Sequence, residues 1–307
     1  MAEPRRIGLL TVLLPAYNAM PYLPAAVESI LSQTYRDFEL LIIDDGSSDG
    51  TPGYLDGLVD ARVRVIHQDN RGLVETLNRG LVDARHDWVA RMDGDDVALP
   101  ERLARQVEFL ERNPEYALVS CANGYVGNAG RRIRAEQRPH LAKPPKYDPR
   151  IGTIILHQGA VYDRRAVLDA GGYRNIVAAE DLDLWFRMAE RHSLASIDDV
   201  LMLVRVLPKG ISSSNLILQR VNWAYARACA EARRAGLSEP VNDAYLREHW
   251  PRGRARLGIE AARHIRMGGA AWANGKPLAT AWHLGLAAAL SPRQLAAKLV
   301  GYWRGPR

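Results

Sequence analysis

Three groups of carboxylates in this chain have the types and spacing to do chemistry. They are Asp44-Asp45-Gly46-Ser47-Ser48-Asp49-Gly50-Thr51, then Asp93-Gly94-Asp95-Asp96, and later Glu180-Asp181. Carboxylates this close repel one another unless a positive charge lies between them. A divalent cation supplies that charge, and hard oxygen ligands suit Mg²⁺ or Mn²⁺. Such a metal can also hold a diphosphate. Asp181 precedes Leu182-Asp183-Leu184-Trp185-Phe186-Arg187, a helical pattern, and at the start of that helix it could act as a general base. Each group has a plainer reading. Asp-Gly-Ser strings form turns and helix caps, and acidic residues in a first helical turn are favoured by the dipole. Two acidic clusters that both follow apolar strands favour a site over two unrelated turns.

The elements that must carry these groups can be read from periodicity. Residues 7–14, 38–43, 63–67, 88–92 and 117–122 are apolar runs that read as strands, while 24–32, 73–84 and 100–113 have helical spacing. Alternating strands and helices imply an α/β fold, with a largely parallel sheet covered on both faces. Ligands of open α/β sheets bind beyond the carboxyl ends of strands, where both clusters fall. Residues 124–153 lose periodicity and read as an excursion with a short strand near 131–134. Order resumes at 154–162, a helix is expected over 180–191, and a strand over 200–206 leads into Ser212-Ser213-Ser214-Asn215. Beyond that, alanine, leucine and arginine dominate. Several helices are expected there, broken near 236–240, at Gly268-Gly269 and at Ser291-Pro292.

Composition narrows the function classes. The 307 residues are 47% hydrophobic and 25% charged, which excludes disordered and collagen-like chains. Cys121 and Cys229 give neither a disulfide framework nor a zinc cluster, and a reducing, cytoplasmic setting fits them. Arg5-Arg6 before residues 7–14 imitate a signal peptide. The run is short, Pro15, Asn18 and Pro21 follow it, and a buried first strand is the expectation. No run reaches the ~18 apolar residues of a spanning helix. The net charge of +6 is uneven: residues 216–307 hold 15 Lys+Arg against 5 Asp+Glu, and residues 1–215 hold 26 against 30. Five of the seven tryptophans, Trp223, Trp250, Trp272, Trp282 and Trp303, also lie in that tail. A basic, Trp-rich helical tail suits either packing on the main domain or peripheral contact with an anionic membrane surface. No nucleic-acid module is present, so nucleic acid is not an expected partner.

These residues, taken in order, resemble family 2 glycosyltransferases. Pro15-Ala16-Tyr17-Asn18 is similar to the family's opening motif, and Ser29-Ile30-Leu31-Ser32-Gln33-Thr34-Tyr35 to its first helix and exit. Asp44 to Thr51 resembles the second-strand motif. Asn70-Arg71-Gly72 with Leu77-Asn78-Arg79-Gly80 matches a further segment. Asp93-Gly94-Asp95 looks like the DxD metal motif and Glu180-Asp181 like the late acidic motif. The match runs from about residue 7 to about 215. It implies a GT-A (Rossmann-like) catalytic domain over 1–215, with 216–307 as a helical extension. It also implies a nucleotide-sugar donor, Mn²⁺ or Mg²⁺, and inversion at the anomeric carbon.

By position, the resemblance puts Pro15, Tyr17, Asn18 and Asp45 at the nucleoside, with Asp45 accepting from the base. Asp93 and Gly94 would lie near the ribose and diphosphate. Asp95 would be the main metal ligand, joined by Asp93, and Asp181 the catalytic base. His157, Glu180 and Trp185 fall on the acceptor side, where a glycan or lipid-linked saccharide would bind. His157 reads equally as a structural histidine and Trp185 as a core residue. Two positions depart from the family. Leu207 stands where members often carry a histidine near the metal, which bears on metal affinity and ligand count. Gln219-Arg220-Val221-Asn222-Trp223 has the wrong spacing for the QxxRW motif of processive members, so transfer of one sugar is the expectation. A sugar nucleotidyltransferase and a non-catalytic sugar- or nucleotide-binding protein are the alternatives. A phospho-accepting receiver domain would be about half this length.

Overall fold

Strand β1 (Leu10–Ala16) is buried along its whole length because it has a parallel neighbour on each side. On one side lies β2 (Phe38–Asp45), paired from Leu10↔Phe38 to Ala16↔Asp44; on the other lies β4 (Trp88–Arg91), paired from Thr11↔Val89 to Leu13↔Arg91. The strand expected at 7–14 therefore starts later and ends later. Leu9 is exposed. Pro15 is tolerated because the β4 ladder ends at Leu13, before the missing N–H would matter.

The computed structural model describes residues 6–128, 130, 132–137, 155–207 and 215–296. These form two compact units. The first comprises Met1–Tyr125, Arg134–Asn175 and Leu184–Arg205; the second comprises Val126–Ile133, Ile176–Asp183 and Val206–Arg307.

The first unit is built on a nine-stranded sheet. In addition to β1, β2 and β4 it uses β3 (Val63–Gln68), β5 (Val97–Ala98), β6 (Tyr116–Val126), β7 (Arg132–Gln137), β8 (Val161–Asp163) and β9 (Ser193–Arg205). The order is β3-β2-β1-β4-β8-β6-β9-β5, with β7 on β6. The β3-β2-β1-β4 half is parallel, whereas β8 runs antiparallel to both β4 and β6, and β5 runs antiparallel to β9. This is a mixed sheet flanked by helices, as expected. The helices are α1 (Leu23–Leu31), α2 (Thr51–Asp56), α3 (Leu73–Asp83), α4 (Arg102–Arg112) and α5 (Arg164–Asp169), together with α6 (Glu180–Ala189) from Leu184 onward. Leu103, Val107 and Leu110 of α4 face the core as their spacing requires, in company with buried Arg102 and Gln106. Gln106 Nε2 donates to the Gly159 carbonyl at 2.7 Å, tying α4 to the single turn His157–Gly159.

Strand β9 is longer than expected because Asp198 and Asp199 break the apolar pattern without breaking the strand; Asp199 instead pairs with Arg105 at 3.2 Å. The part of the irregular stretch at 138–154, Ser212 to Ser214, and Trp303 lie outside the described residues.

The second unit contains α7 (Leu216–Arg234), α8 (Asn242–His249), α9 (Gly253–Ala273) and α10 (Pro277–Leu290). Gly268-Gly269 was expected to break a helix, but α9 runs through it. A Cβ on Gly268 would stand 3.3 Å from Leu284 Cδ2 and 3.5 Å from His283 Cβ, so that glycine lets α9 and α10 approach closely. The break comes instead at Asn274–Lys276, where Gly275 has φ +68°.

Candidate active site

The carboxyl ends of β1 and β2 are laced together by side chains that take up loop N–H groups. The Asn18 N–H donates to Ser47 Oγ at 2.8 Å, and Asn18 Oδ1 accepts the Ser48 N–H at 2.8 Å. Asn18 itself has φ 46°, a left-handed conformation that asparagine tolerates. The Met20 N–H donates to Asp49 and the Ala19 N–H to Thr51 Oγ1. Asn18 is thus part of the clasp between two loops. Pro15 is the next-to-last residue of the buried strand, and Tyr17, just past its end, is 55% exposed.

The two aspartates that end β2 are both buried, and each has a separate set of donors. Asp44 accepts the Ser47 N–H at 3.1 Å and meets His67 Nδ1 at 2.8 Å. The Asp44 bond, partly offset by burial, raises the His67 pKa above its ordinary value. Asp45 accepts from Gln68 Nε2 at 2.6 Å and from the N–H groups of Arg71 and Gly72 at 2.9 and 2.8 Å. Gly46 makes this possible. It has φ +73°, and a Cβ there would stand 2.6 Å from the Asn70 nitrogen. A cleft of about 520 Å³ lined by Gln68, Arg71, Glu75, Asn78, Arg79 and Val82 lies along α3.

Carboxylate oxygens of Asp93, Asp95 and Asp96, between β4 and β5, all lie within 4.8 Å of one another. Arg91, itself buried, pairs with Asp93 at 2.5 Å. Burial opposes the Arg91 charge, yet Asp93 holds its pKa above the ordinary arginine value. Burial, then the Asp93 charge, pushes the Asp95 carboxyl up to about 6. The same causes, with Asp95 added, raise Asp96 well above the usual carboxylate range. Arg205, which ends β9, donates its N–H to Asp96 Oδ1 at 2.8 Å and its Nε–H to the Asp95 carbonyl at 2.7 Å. Asp96 Oδ2 is buried with no hydrogen-bond partner among the described residues. Three converging carboxylates, one with an orphaned buried oxygen, are an all-oxygen donor set that fits a hard divalent cation. A Cβ on Gly94 would stand only 3.3 Å from Ala19 Cβ, so the loop packs on its backbone there.

The residues expected on the acceptor side are placed differently from one another. His157 is buried, bonds Tyr173 Oη through Nε2 at 3.0 Å, and packs edge-on to Trp185 with ring centroids 5.9 Å apart. Burial, followed by the Arg91 charge, pushes its pKa well below the ordinary histidine value, so it sits in the core as a neutral ring. Trp185 is 2% exposed and also contacts Tyr162. Glu180 and Asp181 occupy the first turn of α6, within the second unit. Ahead of them Ala178 has φ 60°, and α7 holds this segment. Asn222 Nδ2 donates to the Val177 carbonyl at 2.8 Å, and Trp223 Nε1 to the Ala178 carbonyl at 3.1 Å. Leu207 lies just past β9, and residues 208–214 are outside the described part.

Comparison with known proteins decides the family. The model of "Glycosyl transferase family 2" matches residues 11–170, more than half of the chain. The amylovoran biosynthesis glycosyltransferase AmsE of Erwinia amylovora is 30% identical over 236 residues, covering 75% of this chain and 86% of that one. This chain belongs to glycosyl transferase family 2. The enzyme is therefore a glycosyltransferase. EpsE of Bacillus subtilis is 34% identical over 187 residues, or 59% of this chain and 66%, just under two thirds, of that one. The fold matches the mannosyltransferase PcManGT of Pyrobaculum calidifontis, whose structure holds GDP-Man and Mn²⁺. That match has a TM-score of 0.59 at 21% identity and covers 98% of this chain and 81% of that one.

Several groups around the glycosyltransferase's aspartates were not assigned roles from sequence. Arg91, Asp96 and Arg205 form the charged setting of Asp93 and Asp95, and the Gln68 amide and the Gly72 N–H are neutral donors to Asp45. Asp96 belongs to the same acidic string, but the resemblance implies only Asp95 and Asp93 as metal ligands. Arg205 carried no local signal, because its partners lie 109 and 110 residues away.

Proposed function

We propose that this glycosyltransferase moves one sugar, with inversion, from a nucleotide-sugar donor to a hydroxyl of a glycan or lipid-linked saccharide in cell-surface polysaccharide synthesis. The convergence of Asp93, Asp95 and Asp96 carries the reading. The polysaccharide setting is supported by the name of AmsE, and the donor class by the GDP-Man in the PcManGT structure.

Each residue has a definite task in this reading. Asp45 accepts a hydrogen bond from the base, while Pro15 and the exposed Tyr17 border the nucleoside. Asp95 and Asp93, with Asp96 beside them, would hold Mn²⁺ or Mg²⁺. When bound, that ion supplies positive charge to a departing diphosphate. Arg91 keeps the Asp93 carboxylate in place, and the Arg205 N–H groups fix the loop that carries Asp95 and Asp96. Asp181 takes the proton of the acceptor hydroxyl as its oxygen attacks C1. A single base suffices because the donor is already activated, whereas glycosidases need two carboxylates flanking the bond. Acceptors on a membrane would bring the enzyme to the cytoplasmic face through the 216–307 helices.

The test is thermal stabilisation by UDP-, GDP-, dTDP- and CMP-sugars, each with and without Mn²⁺, because a ligand of the native state raises the melting temperature. One nucleotide class should shift the wild type in a metal-dependent way. Asp95→Asn should lose that shift. Asp181→Asn should keep it and lose donor turnover. A metal-dependent shift that survives Asp95→Asn would overturn the metal assignment. Normal turnover by Asp181→Asn would overturn the base assignment.

A further inference from the structure

Each of the three described hydrogen bonds to the Asp45 carboxylate is a donation to it. Its Oδ1 accepts from Gln68 Nε2 and the Arg71 N–H, and its Oδ2 accepts from the Gly72 N–H. An ionised carboxylate offers about four acceptor positions, so among the described residues about one, on Oδ2, is left for a ligand.

The orientation of the Gln68 amide is dictated by what lies behind it. Arg79 Nη1, which can only donate, is 2.8 Å from Gln68 Oε1. Arg79 is itself held by Asp83 through Nε at 3.2 Å. Thr76, fully buried, gives its hydroxyl hydrogen to the Gly72 carbonyl at 3.0 Å. Its oxygen is then an acceptor for Gln68 Nε2, also at 3.0 Å. Both amide hydrogens are thereby committed, one to Asp45 and one to Thr76. A flipped amide would set its NH₂ against Arg79 and its oxygen against the Asp45 carboxylate, two repulsive contacts in place of three hydrogen bonds. Asp83, Arg79, Gln68 and Asp45 thus form a chain of donors and acceptors with one permitted direction.

We propose that Gln68 is a specificity-determining positioning residue. It holds the Asp45 carboxylate by Oδ1 in one orientation, with an acceptor position open on Oδ2, and so selects donor nucleotides whose base presents a ring N–H there. Uracil, thymine and guanine carry such an N–H on the pairing edge; cytosine and adenine carry an acceptor nitrogen instead. Placing that nitrogen against Asp45 leaves two desolvated acceptors facing each other, and this repulsion is the discriminating element. The inference rests on the reading above that Asp45 faces the base.

Calorimetric titration of the full chain with UDP, dTDP, GDP, CDP and ADP in the presence of Mn²⁺ tests it. The wild type should bind at least one of the first three roughly 10–100-fold more tightly than CDP and ADP, the span expected of one hydrogen bond to a charged group. Gln68→Met keeps the length of the side chain and removes both donors, and it should reduce that ratio to a few-fold. Arg79→Met, which frees the amide to turn, should reduce it less. The ratio between bases is the readout, because a general loosening of the site would weaken all five nucleotides together. Unchanged discrimination in Gln68→Met, with discrimination lost in Asp45→Asn, overturns the inference and leaves the base reading standing. Discrimination retained in Asp45→Asn, or a wild type that prefers CDP or ADP or binds none of the five, removes the base reading and the inference with it.

Discussion

At the scale of single residues, neighbouring aspartates on one strand have been given different work. Asp44 faces His67, and Asp45 faces Gln68 and two backbone N–H groups. The first pair makes stability depend on pH. His67 has its pKa raised in the fold, first by the Asp44 bond, and Asp56 adds to this through Nε2 at 3.2 Å. A histidine whose folded pKa exceeds its unfolded value stabilises the fold fully below about pH 6.5, and this is lost as pH rises through the folded value. Urea melts of wild type and His67→Gln should therefore differ near pH 6 and converge near pH 9. The difference should be small, because the imidazole is 43% exposed and screened by water. A gap that grew with pH would contradict the assignment. Asp44 and Asp45 were legible as an acidic string, but which of them would face the histidine was not. Their alternation across the strand only acquires meaning once β3 is paired as Asp44↔His67 and Asp45↔Gln68.

At the scale of elements, long apolar strands announced themselves. β1, β2 and β4 are continuous runs because both faces of a parallel sheet are covered. The two-residue β5 and the three-residue β8 are too short to leave a periodic signal. Gly268 misled for a physical reason, since a glycine that permits close helix packing has the same letter as one that ends a helix. The acidic string Glu180-Asp181 was visible, whereas the segment that aims it was not. Ala178 at φ 60° is held by carbonyl bonds from Asn222 and Trp223, some 45 residues on. A left-handed alanine costs about 1 kcal/mol or more. Ala178→Gly should therefore stabilise the protein by roughly 0.5–1 kcal/mol in denaturant unfolding, once the added freedom of the unfolded chain is counted. A destabilised variant would show that the conformation carries no strain.

At the scale of the whole molecule, the basic, Trp-rich tail also exposes large apolar side chains. Trp272, Leu278 and Trp282 are 69%, 88% and 67% exposed and flank the Asn274–Lys276 turn between α9 and α10. Helix α10 carries no Asp, Glu, Lys or Arg, and no helix among the described residues is long and apolar enough to cross a membrane. Exposed tryptophans beside a short turn suit an aromatic anchor in the headgroup layer, with the arginines of the tail drawn to anionic lipid. The full chain should sediment with vesicles containing phosphatidylglycerol, and less so as salt rises. The triple variant Trp272→Asp, Leu278→Asp, Trp282→Asp should stay in the supernatant. Equal sedimentation of the two proteins would exclude this turn as the anchor.

The placement of β1 between β2 and β4 also has a consequence for how the chain is made. Phe38–Asp45 can pair with Leu10–Ala16 early in synthesis, but the partner for the other edge begins only at Trp88. Until then the growing polypeptide has an open strand edge along Thr11, Val12 and Leu13, all of them inaccessible in the finished protein. Such an edge invites pairing with another nascent chain. Ribosomal pausing between residues 45 and 88 would therefore prolong the interval in which the chain is open to such pairing.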